Sequence, residues 1–133
     1  MFGTIHPDEM EDILHAHHVG HLACIANDLP YLVPITYVYD GGLVYAHTVP
    51  GTKVDALRTR PVASFCVVEH REPNVWRSVI LECSYEELDA SPARDRALDL
   101  LDAVVPNALP DRDGIVFRLR PARTSGRWLR LAE

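Results

Sequence analysis

No apolar run in the 133 residues approaches the roughly 18–20 that a membrane-spanning helix needs, so no membrane role is expected. The opening stretch, "MFGTIHPDEMEDILHAHH", has no basic region followed by an apolar core, and is not expected to be a signal peptide. Positive charge is scarce: 13 Lys and Arg stand against 19 Asp and Glu, a formal net charge of −6. Neutralising a phosphate backbone needs a basic face, so nucleic acid is not expected as a partner. Cysteine is scarce too. Cys24, Cys66 and Cys83 form no CxxC pair and lie in apolar, strand-like runs, which predicts reduced core thiols in a cytoplasmic protein. The GxxxxGK[ST] phosphate loop and the HExxH zinc pattern are both absent. With no repeat, linker or low-complexity tract, residues 1–133 are expected to form a single domain.

What is present reads mostly as strand. "HPDEMEDILHAHH" opens on Pro7 and acids, with Met10, Ile13 and Leu14 at helical spacing, and predicts a short amphipathic helix. Strands are predicted over Val19–Asn27, Tyr31–Tyr39, Leu43–Thr48, Val62–Glu69, Val75–Leu88, Gly114–Pro121 and the final "SGRWLRL". Asp40-Gly41-Gly42 is a hairpin signal. Helices are predicted over Lys53–Thr59 and Ala93–Val105, the second with Leu98, Leu101 and Val105 on one stripe and a solvated, charged opposite face. His15, His17, His18 and His21 crowd together, and His15 and His18 are expected to share a helix face. No carboxylate or cysteine completes a ligand pattern there, so they read as exposed histidines at a helix end rather than a metal site. Antiparallel strands joined by hairpins, with a few short helices, predict a small β-barrel.

Against the acidic background one segment stands out. "YAHTVPGTKVDALRTRP", residues 45–61, gathers His47, Thr48, Thr52, Lys53, Arg58 and Arg60 around a single acid, Asp55. It runs out of a strand, through Pro50-Gly51, and into a helix. Thr52 is the predicted N-cap, with Asp55 as its capping-box partner. Lys53 in the first turn opposes the helix dipole by roughly 0.3–1 kcal/mol, a cost that a bound anion would reverse. The segment therefore reads either as a phosphate site or as a solvated loop before a surface helix. The preceding strand places Tyr31, Val33, Ile35, Tyr37 and Tyr39 on one face. Pro34 interrupts its ladder and marks an edge, a bulge or a backbone turned toward a ligand.

Taken together, "VPITYVYDGGLVYAHTVPGTKVDALRTRPVASFCVVE" resembles the central block of the 5-nitroimidazole resistance (Nim) proteins, part of the pyridoxamine-phosphate-oxidase-like superfamily. The matching pieces are Val33-Pro34, Tyr37 to Gly41, Tyr45 with His47, Gly51 with Lys53, Asp55-Ala56, Arg58 and Ala63 to Val68. "VGHLA" and "WRSVI" resemble the flanking family strands. The resemblance implies a mainly β fold, a six-stranded antiparallel split β-barrel of Greek-key type. It implies a homodimer with two FMN molecules in clefts between the subunits. Lys53, with Thr52 and Thr48, would hold the FMN phosphate. Val33, Pro34, Ile35, Thr36 and Tyr37 would line the isoalloxazine, partly through backbone groups. Trp76 and Ser78 would approach the cofactor, from the same or the partner subunit, and Trp128 lies on a strand near the site. The chain departs from the family at Cys83, where a glycine is usual, and at Arg127, where lysine is usual.

The same resemblance implies a reductase of small nitro-aromatic compounds, with FMN carrying the redox chemistry. His47 sits where the family has a histidine close to the flavin. It is expected either to donate a proton during nitro reduction or to be a hydrogen-bonded residue of the cofactor wall. Two other readings fit the same residues: a flavin-binding or sensing protein with slow turnover, and a barrel holding haem or a deazaflavin.

Overall fold

The computed structural model describes residues 1–104 and 112–131. In chain order the elements are β1 (Phe2–Thr4), α1 (Pro7–Ala16), β2 (Val19–Ala26), β3 (Leu29–Thr36), β4 (Val38–Asp40), β5 (Leu43–Thr48), α2 (Thr52–Thr59), β6 (Val62–Glu72), β7 (Val75–Glu87), α3 (Pro92–Val104) and β8 (Ile115–Arg130). The predicted end of α3, Val105, lies outside the described residues.

The strands form one antiparallel sheet in the order β3-β2-β6-β7-β8-β5-β4, with β1 added to β8. β3 and β4 sit at opposite ends of that order, yet only Tyr37 separates them in the chain. The sheet must therefore curl until its ends meet, and the barrel closes. Counted as one strand broken at Tyr37, β3 and β4 join β2, β5, β6, β7 and β8 to give the expected six-stranded split barrel. Tyr37 gives its backbone N–H to the His18 carbonyl at 2.9 Å and its phenol to the Leu14 carbonyl at 2.8 Å. Its ring meets Phe65 edge-on at 5.0 Å. The turns obey local chemistry. Asn27 and Asp28, at φ 52° and 63°, join β2 to β3, and Gly41 and Gly42, at φ 58° and 80°, join β4 to β5.

Alternating side chains of every long strand fill the barrel, with Leu22, Tyr37, Val44, Phe65, Leu81, Phe117 and Leu119 fully buried. α1 stoppers one end: Ile13 and Leu14 are buried in the same cluster, and Tyr39 donates to Glu11 at 2.8 Å. Two strands differ from expectation. The predicted C-terminal pair is one sixteen-residue strand, β8, because β7 pairs with it from Val75 to Glu87 and carries it past Pro121 with a single irregularity at Glu82/Cys83. β1 is too short to show in the sequence and exists through pairing with Arg127–Leu129.

The histidine-rich stretch also differs. α1 ends at Ala16, so His17 and His18 lie beyond it and His18 shares no helix face with His15. His17 meets Glu69 at 2.9 Å, His18 meets the Tyr37 carbonyl at 3.2 Å, and His15 lies edge-on to Tyr39 at 4.9 Å. Cys24 and Cys83 are buried as expected, but Cys66 points outward and is only half-buried. Burial raises all three thiols, Cys83 to about 12.

The outer face of β3, β2, β6 and β7 is open. Cross-strand register places Pro34, His21, Cys66 and Ile80 in one row, and Leu32, Ala23, Ser64 and Glu82 in the next. Val19, Leu32, Val62, Val68 and Ile80 are exposed on this face. Among the described residues no helix is long and apolar enough to cross a membrane.

Candidate functional site

The segment singled out by its charge begins where β5 ends. Thr48 is buried, and its hydroxyl donates to the Val49 carbonyl at 3.2 Å. The chain then passes Val49, Pro50 and Gly51 and enters α2. Gly51, not Thr52, is the N-cap, and no side chain caps the helix. Its carbonyl accepts the Asp55 N–H at 3.0 Å, so the capping box expected between Thr52 and Asp55 does not form. The reason is one of phase: Thr52 already has helical geometry as the first residue of α2, and it is exposed. A side chain built on Gly51 would meet nothing within 4 Å, so the approach to this helix end is open. Lys53 follows, half-buried, on a helix that packs on β2. Burial pulls its amine below the ordinary value, and the neighbouring Cys24 opposes this. Neither Thr52 nor Lys53 has a hydrogen-bond or ion-pair partner among the described residues.

β3 is the last hydrogen-bonded strand on its side of the sheet, and it touches β5 without pairing to it. The barrel is split there. Val33, Pro34, Ile35 and Thr36 lie along this free edge, paired through their other edge to Leu22, His21, Gly20 and Val19. Pro34 is thus an edge proline, which removes one donor from a strand whose neighbours remain available. Val33 and Ile35 face the core, while Pro34 and Thr36 face out. Tyr37 is wholly buried, and His18 engages both its N–H and its carbonyl, so it presents no exposed group to the split.

Trp76, Ser78 and Trp128 come together. With Phe2, Arg127 and Leu129 they line a cavity of about 310 Å³ on β7, β8 and β1. Its floor follows the register Phe2↔Leu129↔Trp76, with Ser78 opposite Arg127 in the next row. The His70 ring stacks on Trp76 at 5.5 Å. The Trp128 indole leans over Gly3, where a Cβ would lie 2.6 Å from its Nε1. Phe2 and Leu129 were not legible as site residues. Their place depends on β1, which is formed by pairing across the whole chain.

His47 lies on the opposite side of β5 from the buried Val44, Ala46 and Thr48, on the face it shares with Tyr45. Its Nε2 is 2.5 Å from the Asp113 carbonyl. A carbonyl only accepts, so Nε2 carries the proton and donates it. Any proton that His47 passes to another molecule must come from Nδ1. Among the described residues no three His, Cys, Asp or Glu are placed to hold a metal ion.

Comparison with known proteins bears on this arrangement. Residues 6–128 match the family described as pyridoxamine 5'-phosphate oxidase. The chain belongs to the pyridoxamine 5'-phosphate oxidase family. Among solved structures of similar fold is a FAD-binding protein of Mesorhizobium loti, 34% identical, covering 96% of this chain and 98% of the other with a TM-score of 0.82. A 5-nitroimidazole antibiotic resistance protein of Bacteroides thetaiotaomicron, so described provisionally, superposes with a TM-score of 0.82 over 100% of this chain and 92% of the other. At 16% identity that likeness is one of fold. An uncharacterised protein of Rhizobium meliloti is 36% identical over 84 residues, 63% of this chain, and the match spans 56% of that relative's length. Family membership thus rests on nearly the whole chain, including the C-terminal third that carries β8.

Proposed function

We propose that the protein is a flavin-dependent oxidoreductase that binds FMN and reduces small nitro-aromatic compounds of the 5-nitroimidazole kind. The observation that carries this reading is the unpartnered pair Thr52 and Lys53 at the open start of α2, beside the split between β3 and β5. A hydroxyl, a cation and free helix N–H groups are the donors a phosphomonoester requires. The free edge of Val33–Thr36 offers backbone groups to a planar heterocycle. These residues fit a phosphorylated flavin. When bound, it would supply two-electron transfer to an electron-poor acceptor. The protein's part is to bind, orient and exclude water. Thr48, already committed to the Val49 carbonyl, stiffens the approach to α2 rather than reaching freely outward.

We infer further that the molecule works as a homodimer with the cofactor at the subunit interface. The support is the open face of β3, β2, β6 and β7, with five exposed large aliphatic side chains on adjoining strands. Trp76, Ser78 and Trp128 lie beyond β6 on the same sheet, where a partner's cofactor would meet an aromatic wall. Sedimentation is expected to show a dimer, and Ile80→Glu, which places a charge on that face, is expected to give monomers with weaker flavin binding. A wild-type monomer with full flavin affinity would overturn the interface reading.

The phosphate contact is tested by Lys53→Ala. Loss of one hydrogen bond to a charged group should weaken FMN by about 1.5–3 kcal/mol while leaving riboflavin, which has no phosphate, nearly unaffected. Fluorescence titration of both ligands against both proteins makes the comparison. Equal weakening of FMN and riboflavin would remove Lys53 from the phosphate site.

A further inference from the structure

The cavity on β7, β8 and β1 carries a chemistry of its own in an acidic chain. No carboxylate lines it. Phe2, Leu129 and Trp76 stand in one cross-strand row, and Arg127 and Ser78 in the next. Strand alternation turns these five side chains to one face, while Trp128, between Arg127 and Leu129, packs toward the core. The seat is therefore part apolar and part polar. Its apolar part holds two rings, and Phe2 is 69% exposed, a large aromatic surface for a residue that nothing covers among the described residues. His70 stacks on Trp76 and fixes that ring. Its polar part consists of donors. Neither the Arg127 guanidinium nor the Ser78 hydroxyl has a hydrogen-bond or ion-pair partner among the described residues.

We propose that this cavity binds an aromatic carboxylate, its ring against Phe2 and Trp76 and its carboxylate on Arg127 and Ser78. Flat apolar walls take a flat apolar ring. The planar guanidinium fork matches the two oxygens of a carboxylate, which a point charge would not. Ser78, directly across from Arg127, can donate to the same group. The size agrees: about 310 Å³ lies at the lower end for small-ligand sites, room for one ring and its substituents. A neutral ring would cover the apolar part and leave the guanidinium unpaired. An aliphatic acid would pair the guanidinium and leave the rings uncovered. The cavity shares no residue with the start of α2, so it is separate from the phosphate seat at Thr52 and Lys53. Its use rests on the reductase reading: the preferred acceptor would be a nitro-aromatic that also bears a carboxylate, with Arg127 the residue that selects it.

The test titrates the full chain with benzoate and with its neutral isostere benzamide. Tryptophan fluorescence is the readout, since Trp76 is one of only two tryptophans in the chain. Benzoate is expected to bind about tenfold or more tightly than benzamide. Arg127→Gln is expected to bring benzoate down to the affinity of benzamide and to leave benzamide unchanged. Arg127 is exposed and makes no contact that the fold depends on. Arg123→Gln alters another exposed arginine of β8, outside the cavity, and is expected to leave benzoate binding unchanged. No saturable binding of benzoate, equal affinity for the two probes, or equal weakening by the two substitutions overturns the proposal. Saturating FMN is expected to leave benzoate in place, because an acceptor must sit beside the flavin. Displacement of benzoate by FMN would give the cavity to the flavin and overturn the proposal as well. The two readings fail separately. Benzoate selectivity in a protein whose flavin no nitro-aromatic reoxidises would keep the site and remove the reductase; reoxidation without that selectivity would keep the reductase and remove the site.

Discussion

His47→Ala is expected to slow reoxidation of the reduced protein by a nitroimidazole about 10²–10⁴-fold, the range for loss of a general acid, with flavin content unchanged. The geometry adds a condition. Nε2 is engaged with the Asp113 carbonyl, so the proton delivered must leave Nδ1, and only the imidazolium carries one there. His47→Gln separates the two roles of the ring, because an amide N–H can replace the bond to Asp113 without supplying a transferable proton. Full activity in His47→Gln would make the histidine a wall residue. Protein reduced anaerobically, mixed with the acceptor and followed at the flavin absorbance decides among these outcomes. No reoxidation in any of the proteins would favour a binding or sensing role over a reductase.

Glu69→Ala is expected to lower stability by about 3–5 kcal/mol, because it strands a largely buried cation. Glu69 lies at the barrel end covered by α1 and is almost wholly buried. It accepts from Arg77 Nη2 at 2.5 Å, from Arg71 Nε at 2.6 Å, and meets His17 at 2.9 Å. Arg77 in turn reaches Glu9 of α1 at 2.8 Å, and its Nε is buried without a partner. Removing the carboxylate leaves Arg77 in place with its principal counter-charge gone, and loosens α1 from β6 and β7. Burial alone would push the Glu69 carboxyl up, but its bonds to Arg77, His17 and Arg71 prevail and hold it at about 2, against an ordinary 4.5. A depressed carboxyl contributes stability that is present above its unfolded value and lost as pH falls through its folded one. The difference between wild type and Glu69→Ala should thus be full at neutral pH and shrink from about pH 4.5 down toward pH 2. Denaturant melts at several pH values measure it. A difference that persisted unchanged at low pH would assign the loss to packing and not to charge.

The parts of the fold that were legible in the sequence are those decided locally. Asp40-Gly41-Gly42 announced its turn because glycine tolerates the positive φ that Gly41 and Gly42 adopt there. Alternation placed Tyr31, Val33, Ile35, Tyr37 and Tyr39 on one face, and all five lie in or against the core. What the sequence hid was decided at a distance. Pro121 and Thr124-Ser125-Gly126 look like a break, but pairing with β7 on one side keeps β8 continuous. The division at Tyr37 is a change of pairing partner, not of composition, and no local pattern marks it. In the candidate site, Gly51 to Lys53 could be read from neighbouring residues, although the cap was misplaced by one position. The cavity that joins Trp76, Ser78 and Trp128 to Phe2 could not, since it spans residues 2 to 129.

β8 imposes an order in time on the making of this molecule. It is bonded to β7 on one side and β5 on the other, and it carries β1 as well. During synthesis β2, β3, β6 and β7 can pair as soon as they emerge, but β5 has no strand to bridge it to β7 until β8 follows α3 out of the ribosome. Until then Val79, Leu81 and Val44, buried in the finished barrel, have an incomplete wall, and the outer edges of β7 and β5 carry unpaired backbone groups. At about 5–20 residues per second, the interval between β7 and the end of β8 lasts seconds. The growing chain spends those seconds as an open sheet, and a chaperone that shields strand edges would find its substrate there rather than in the closed barrel.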